Sequence, residues 1–166
     1  MELLGSTNLV SNYSMVGLSD FTIFIVVKAS SLINYASCVR LQESPGTNYI
    51  VYPWQVSALA IHEPDGATVG VSSGMVANVW NKGSMRRRKN ITTNGLETRR
   101  NGAAVANRTA ANSNVGSFCS KVRIGGRFDN TELMTGNMAE IMVFDRALSD
   151  AEIGNMESYF TTKWGV

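Results

Sequence analysis

Four consecutive positive charges, "RRRK" at residues 86–89, are the most conspicuous chemistry in this 166-residue chain. Between residues 81 and 110 eight basic side chains meet a single acid, Glu97, so this segment carries +7 while the remainder carries −5. An asymmetry of that size orients a molecule on an acidic partner. On a strand, four charges in a row point alternately to both faces, which predicts an edge strand or a protruding hairpin. Arg86, Arg87, Arg88, Lys89, Arg99 and Arg100 therefore form the candidate partner-contact surface, with protection of an edge against aggregation as the plainer explanation. No aromatic residue interleaves the run, which argues against nucleic acid. A second chemistry comes from Tyr49, Tyr52 and Trp54. If a strand continues through Pro53, Tyr52 and Trp54 share one side of it, placed to stack on a sugar or, by default, to fill the core.

The catalytic inventory is poor. His62 is the only histidine, so no histidine cluster can hold a metal and no second imidazole is at hand. It adjoins "EPDG" and reads as a solvated turn residue. Glycoside hydrolysis needs two carboxylates at a fixed separation. The strand candidate at 136–146 carries only Glu140 within it. Glu140 shares parity with Met138, Met142 and Phe144, so a partly buried, hydrogen-bonded carboxylate is expected rather than a general acid. Asp65, Asp129 and Asn130 are turn oxygens without a calcium spacing. Cys38 and Cys119 fit no metal spacing and read as small buried thiols. These observations imply no enzyme, no metal and no cofactor.

The elements that must position these groups are short strands separated by turns. Apolar residues make up 44% and charged residues 17%, with abundant Gly and only three Pro. This composition suits one globular domain over residues 1–166. "FTIFIVVKAS" (21–30) reads as a strand covered on both faces. Further strand candidates lie at 31–42, 49–54, 56–62, 68–73, 121–128 and 136–146. Residues 74–100 read as two hairpins, the first turned by "NKGS" and the second by Asn94-Gly95. Residues 101–118 read as an irregular loop with one weak strand. The start "MELLGSTNLV" has no basic lead, and the longest apolar run is too short to span a bilayer. An unsecreted, soluble chain with no membrane partner is expected.

One helix closes the sequence, expected at about 150–163. Ser149 and Glu152 have capping-box spacing, and Leu148 with Ile153 forms a hydrophobic staple. Ile153, Met156 and Phe160 mark one face, and Gly165 is a C-cap candidate.

Taken with this helix, "VRIGGRFDN…GNMAEIMVFDRALSDAEIGNMESYFTTKWGV" resembles the closing segment of laminin-G-like, concanavalin A-like jelly-roll domains. "DFTIFIVVK" is similar to the family's early strand, and "TTNG" to its strand ending in Asn-Gly. The resemblance implies an all-β fold of two antiparallel sheets packed face to face, with the terminal helix lying on the sandwich. Freestanding, unsecreted domains of this kind resemble bacteriophage virion proteins. That implies a non-enzymatic capsid decoration protein, located in the virion, with capsid or other virion proteins as partners and self-association as a further expectation. The alternative is a lectin-like module that binds glycans through Tyr52 and Trp54.

Overall fold

The computed structural model describes residues 2–4, 9–31, 38–41, 50–52, 59–62, 68–71, 76–91, 93, 95–108, 120–126, 129, 131 and 133–166. In chain order these form β1 (Glu2–Leu4), β2 (Leu9–Ser11), β3 (Phe21–Ala29), β4 (Val39–Leu41), β5 (Ile50–Tyr52) and β6 (Leu59–His62). They continue with β7 (Thr68–Val71), β8 (Asn81–Arg87), β9 (Leu96–Arg100), β10 (Ala103–Arg108), β11 (Val122–Ile124), β12 (Thr135–Phe144) and the helix α1 (Asp150–Trp164). One sheet has the order β1-β12-β3-β8-β9-β10 and a second β2-β11-β4-β5, while β6 and β7 pair as a separate ribbon. Neighbouring strands are antiparallel.

The two larger sheets pack face to face. Phe21, Ile23, Ile25 and Val27 of β3, Met85 of β8 and Leu96 of β9 meet Val39 and Val122 of the smaller sheet in one buried cluster. The alternate residues Phe24 and Val26 point the other way, into a second cluster with Leu148, Ile153 and Phe160. β3 is thus apolar at successive positions because it has a buried layer on each face, as its sequence predicts.

The helix forms where its caps place it. The Ser149 side chain accepts from the Glu152 backbone N–H, and the Glu152 carboxylate accepts from the Ser149 N–H in return. Arg146 and then Ser149 hold the Glu152 carboxyl down at about 2. Gly165 ends the helix in the left-handed conformation, its N–H donating to Thr161 O. The apolar stripe then docks on the larger sheet. The Phe24 ring lies 6.0 Å from Phe144, edge on, and 5.7 Å from Phe160. Burying a phenylalanine contributes about 1.5–3 kcal/mol. Thr22 of β3 ties down the entry loop: its hydroxyl donates to Arg146 O and accepts from Leu148 N, each at 3.0 Å.

Several expectations need correction. "NKGS" is not a turn: Asn81 to Ser84 open β8, because Lys82 and its neighbours have partners on both sides. The β8–β9 hairpin does form, with Asn90 left-handed in its loop; Asn94 lies outside the described residues. Asn101 and Gly102, read as loop, turn a tight β9–β10 hairpin with φ of 48° and 86°. That is the signature of an Asn-Gly turn, and the signal was present in the sequence. β1 and β2 were not foreseen, being three residues each. His62 ends β6 opposite Thr68 rather than sitting in a turn. Finally, the ladder shifts between Met138 and Glu140. The bulge at Ala139 puts Met138 in the inter-sheet cluster while Ala139, Met142 and Phe144 join the helix-side cluster, so the expected parity fails at Met138.

The flanks of the sandwich differ. On one, β6 lies against β5 and β9, and β7 against β10. On the other, β1 pairs only with Thr135, Gly136 and Asn137 of β12. Among the described residues, no strand pairs with 138–144 on that side.

Candidate functional site

The basic run is mostly internal. β8 lies between β3 and β9, so it is no edge. Arg86 is 4% exposed and Arg87 0%. Arg86 Nη1 donates to Asp150 Oδ1 (2.7 Å) and Leu148 O (2.8 Å), and Nη2 to Glu97 Oε2 (2.7 Å). Arg99 carries the chain of charges onward to Glu97 at 3.3 Å and Glu157 at 2.9 Å. Arg86 holds the Asp150 carboxyl below the usual carboxylate range. Arg87 Nη1 donates to Ser19 O. Arg88, Lys89 and Arg100 are half-buried. The expected contact surface is corrected accordingly: its acids arrive from β9 and from the helix, which no local pattern reveals. Lys82 joins this layer, donating to Val166 O (2.8 Å), Glu157 O (3.2 Å) and Thr161 Oγ1, carbonyls and a hydroxyl of the last helical turns.

Glu140 behaves as a hydrogen-bonded carboxylate. It accepts from Trp164 Nε1 at 2.8 Å, Lys163 Nζ at 3.0 Å and the Tyr159 hydroxyl at 3.0 Å. Burial pushes its carboxyl up, but the bonds from Trp164, Lys163 and Tyr159 outweigh this and hold it below its ordinary value. Lys163 also stands over both rings, 5.1 Å from Tyr159 and 5.2 Å from Trp164.

The helix covers one sheet face and leaves the outer face of the four-stranded sheet to other groups. There Arg123 of β11 stands directly opposite Arg40 of β4 on one side and Val10 of β2 on the other. Val39 and Val122, their neighbours in sequence, point into the core, so the two arginines point outward from it. Arg40 is 2% exposed and Val10 47%. Sequence reasoning missed this pair because register, not spacing, makes them neighbours. Tyr52 occupies the register position opposite core residue Val39, and Trp54 lies outside the described residues. Asp129 accepts from the backbone N–H of Thr131, as a turn residue does, while Asp65 and Asn130 lie outside the described residues. Cys38 is buried, and burial pushes its thiol pKa up; Cys119 is outside the described residues.

No protein-family model matches the sequence, and no curated protein does. Solved structures do. The chain is similar to the CBM40 of the Ruminococcus gnavus IT-sialidase bound to α2,3-sialyllactose, with TM-score 0.73 at 16% identity, covering 95% of each chain. It is similar to domain 4 of AbnA, a GH43 extracellular arabinanase from Geobacillus stearothermophilus in complex with arabinotriose (TM-score 0.76, 12% identity, 94% of this chain and 75% of that one). It also matches NanB sialidase from Streptococcus pneumoniae with TM-score 0.73 at 15% identity, covering 92% of this chain but 26% of that one. The fold is the concanavalin A-like jelly-roll sandwich with one C-terminal helix.

Proposed function

We propose that this chain is a carbohydrate-binding module that uses the outer face of its four-stranded sheet, and that its ligand is an acidic sugar. The observation that carries the reading is the cross-strand pair Arg40 and Arg123 on that face. Like charges directly opposite in a ladder repel, and an anionic group lying between them relieves the repulsion. Guanidinium groups also suit carboxylates geometrically, through paired N–H donors. Support comes from the fold: similar modules are solved with sialyllactose, whose sialic acid carries a carboxylate, and with arabinotriose. Binding rather than catalysis fits Glu140, whose carboxylate is occupied by three donors from the helix end. The virion-decoration reading drew on the basic segment as a contact surface. With Arg86 and Arg87 internal, that support is lost.

Titration calorimetry with sialyllactose and lactose tests the proposal. Sialyllactose is expected to bind and lactose to bind more weakly or not at all. Arg123→Ala should weaken sialyllactose binding about tenfold or more, as expected for loss of a hydrogen bond to a charged group. Circular dichroism checks that the variant is folded. A folded wild-type protein that binds nothing on a broad glycan array overturns the module reading. Neutral-glycan binding that Arg123→Ala leaves intact overturns the acidic ligand.

A further inference from the structure

The flank of the sandwich bounded by β12 and β2 combines three features that the glycan reading does not use. First, residues 138–144 of β12 have no strand partner on their outer side among the described residues, and Ala139 to Phe144 are all half-buried, whereas β3 beside them is buried from Phe21 to Val27. A long strand edge presents backbone donors and acceptors ready to pair. Second, the edge opens onto two adjoining apolar grooves of about 260 and 270 Å³ that share Ile124 and Ile141, with Tyr13, Val122 and Val143 completing the first. Third, the chain just before β3 adds exposed apolar area on the same flank, with Tyr13 43% and Val16 44% exposed, as is Leu9 of β2 at 49%.

We infer that this flank is the interface of a symmetric dimer in which β12 pairs antiparallel with β12 of a second copy, centred on Met142. The occupant is argued from the strand itself. Centring on Met142 puts Ile141 opposite Val143 twice, β-branched pairs that favour cross-strand packing. The same register sets Glu140 opposite Phe144 of the second copy, so no like charges oppose. Each Glu140 keeps its own Lys163. An isologous contact of this kind closes on itself and does not propagate into fibres. The opposite flank is unsuited, since the β6–β7 ribbon already lies against β5 and β10 there.

Sedimentation velocity over a wide concentration range decides. Wild type is expected to sediment as a concentration-dependent dimer, Val143→Lys as a folded monomer by circular dichroism, and Asn155→Lys, on the exposed side of the helix, as a dimer. A wild-type protein that stays monomeric at the highest concentration overturns the inference, as does a folded Val143→Lys that dimerises like wild type. If Val143→Lys does not fold, hydrogen exchange on the wild-type chain replaces it. Amides in 139–144 should exchange at least tenfold more slowly at high than at low concentration; equal rates overturn the dimer.

Discussion

At Glu140 a carboxylate is held by an indole, an ammonium and a phenol that all come from the last six residues of α1. That geometry makes it a latch between β12 and the helix end. Glu140→Ala should lower stability by about 1–3 kcal/mol, because three donors lose a charged acceptor; urea unfolding measures it. The acid response has a definite sign. The folded carboxyl titrates below its ordinary value of 4.5, so the latch contributes fully above that value and is lost as pH falls through the folded one. The melting temperatures of wild type and Glu140→Gln should therefore converge as the pH is lowered below 4.5. A gap that stays constant into acid would show that the charge of Glu140 does not matter. The sequence made the carboxylate's bonded state legible, though not its partners, which lie 19 to 24 residues away. It misplaced Met138, since one bulged residue resets alternation without leaving a compositional mark.

Among the elements, β8 and α1 show opposite degrees of legibility. Every signal that starts and stops α1 is local: Ser149, Glu152, Leu148 and Gly165 each act within a few residues. The structure accordingly runs Asp150–Trp164, where the caps put it. For β8 the deciding contacts are distant. Arg86 reads as a surface charge until Asp150, 64 positions on, and Glu97 on the next strand are placed beside it. Isolated in sequence, a run of arginines and a buried charge layer look the same. Removing one member of a buried pair leaves the other charge desolvated. Arg86→Met should thus cost about 3–5 kcal/mol, seen as an earlier urea midpoint with an unchanged slope. A loss below about 0.5 kcal/mol would return Arg86 to the surface class. The same run leaves Arg88, Lys89 and Arg100 half-buried around this layer.

For the molecule as a whole, β3 is the shared wall of two hydrophobic layers, one between the sheets and one under the helix. Local opening of either layer leaves β3 covered by the other, so its amides should open only when the whole structure does. Hydrogen exchange is expected to be slowest at Phe24, Ile25 and Val26 and fast at Tyr13 and Val16. Exchange in β3 as fast as in that lead-in would mean that the layers do not unfold together. The division of labour between the sheets has a consequence for how such a chain changes over generations. The ion pairs, caps and ring contacts that fasten the helix all lie on one side of the larger sheet, whereas the arginine pair stands on the far face of the other. Mutations that retune what that far face recognises need not draw on the stability reserve of the scaffold. Specificity is then free to drift while the architecture stays put, a separation that favours diversification at very low sequence identity.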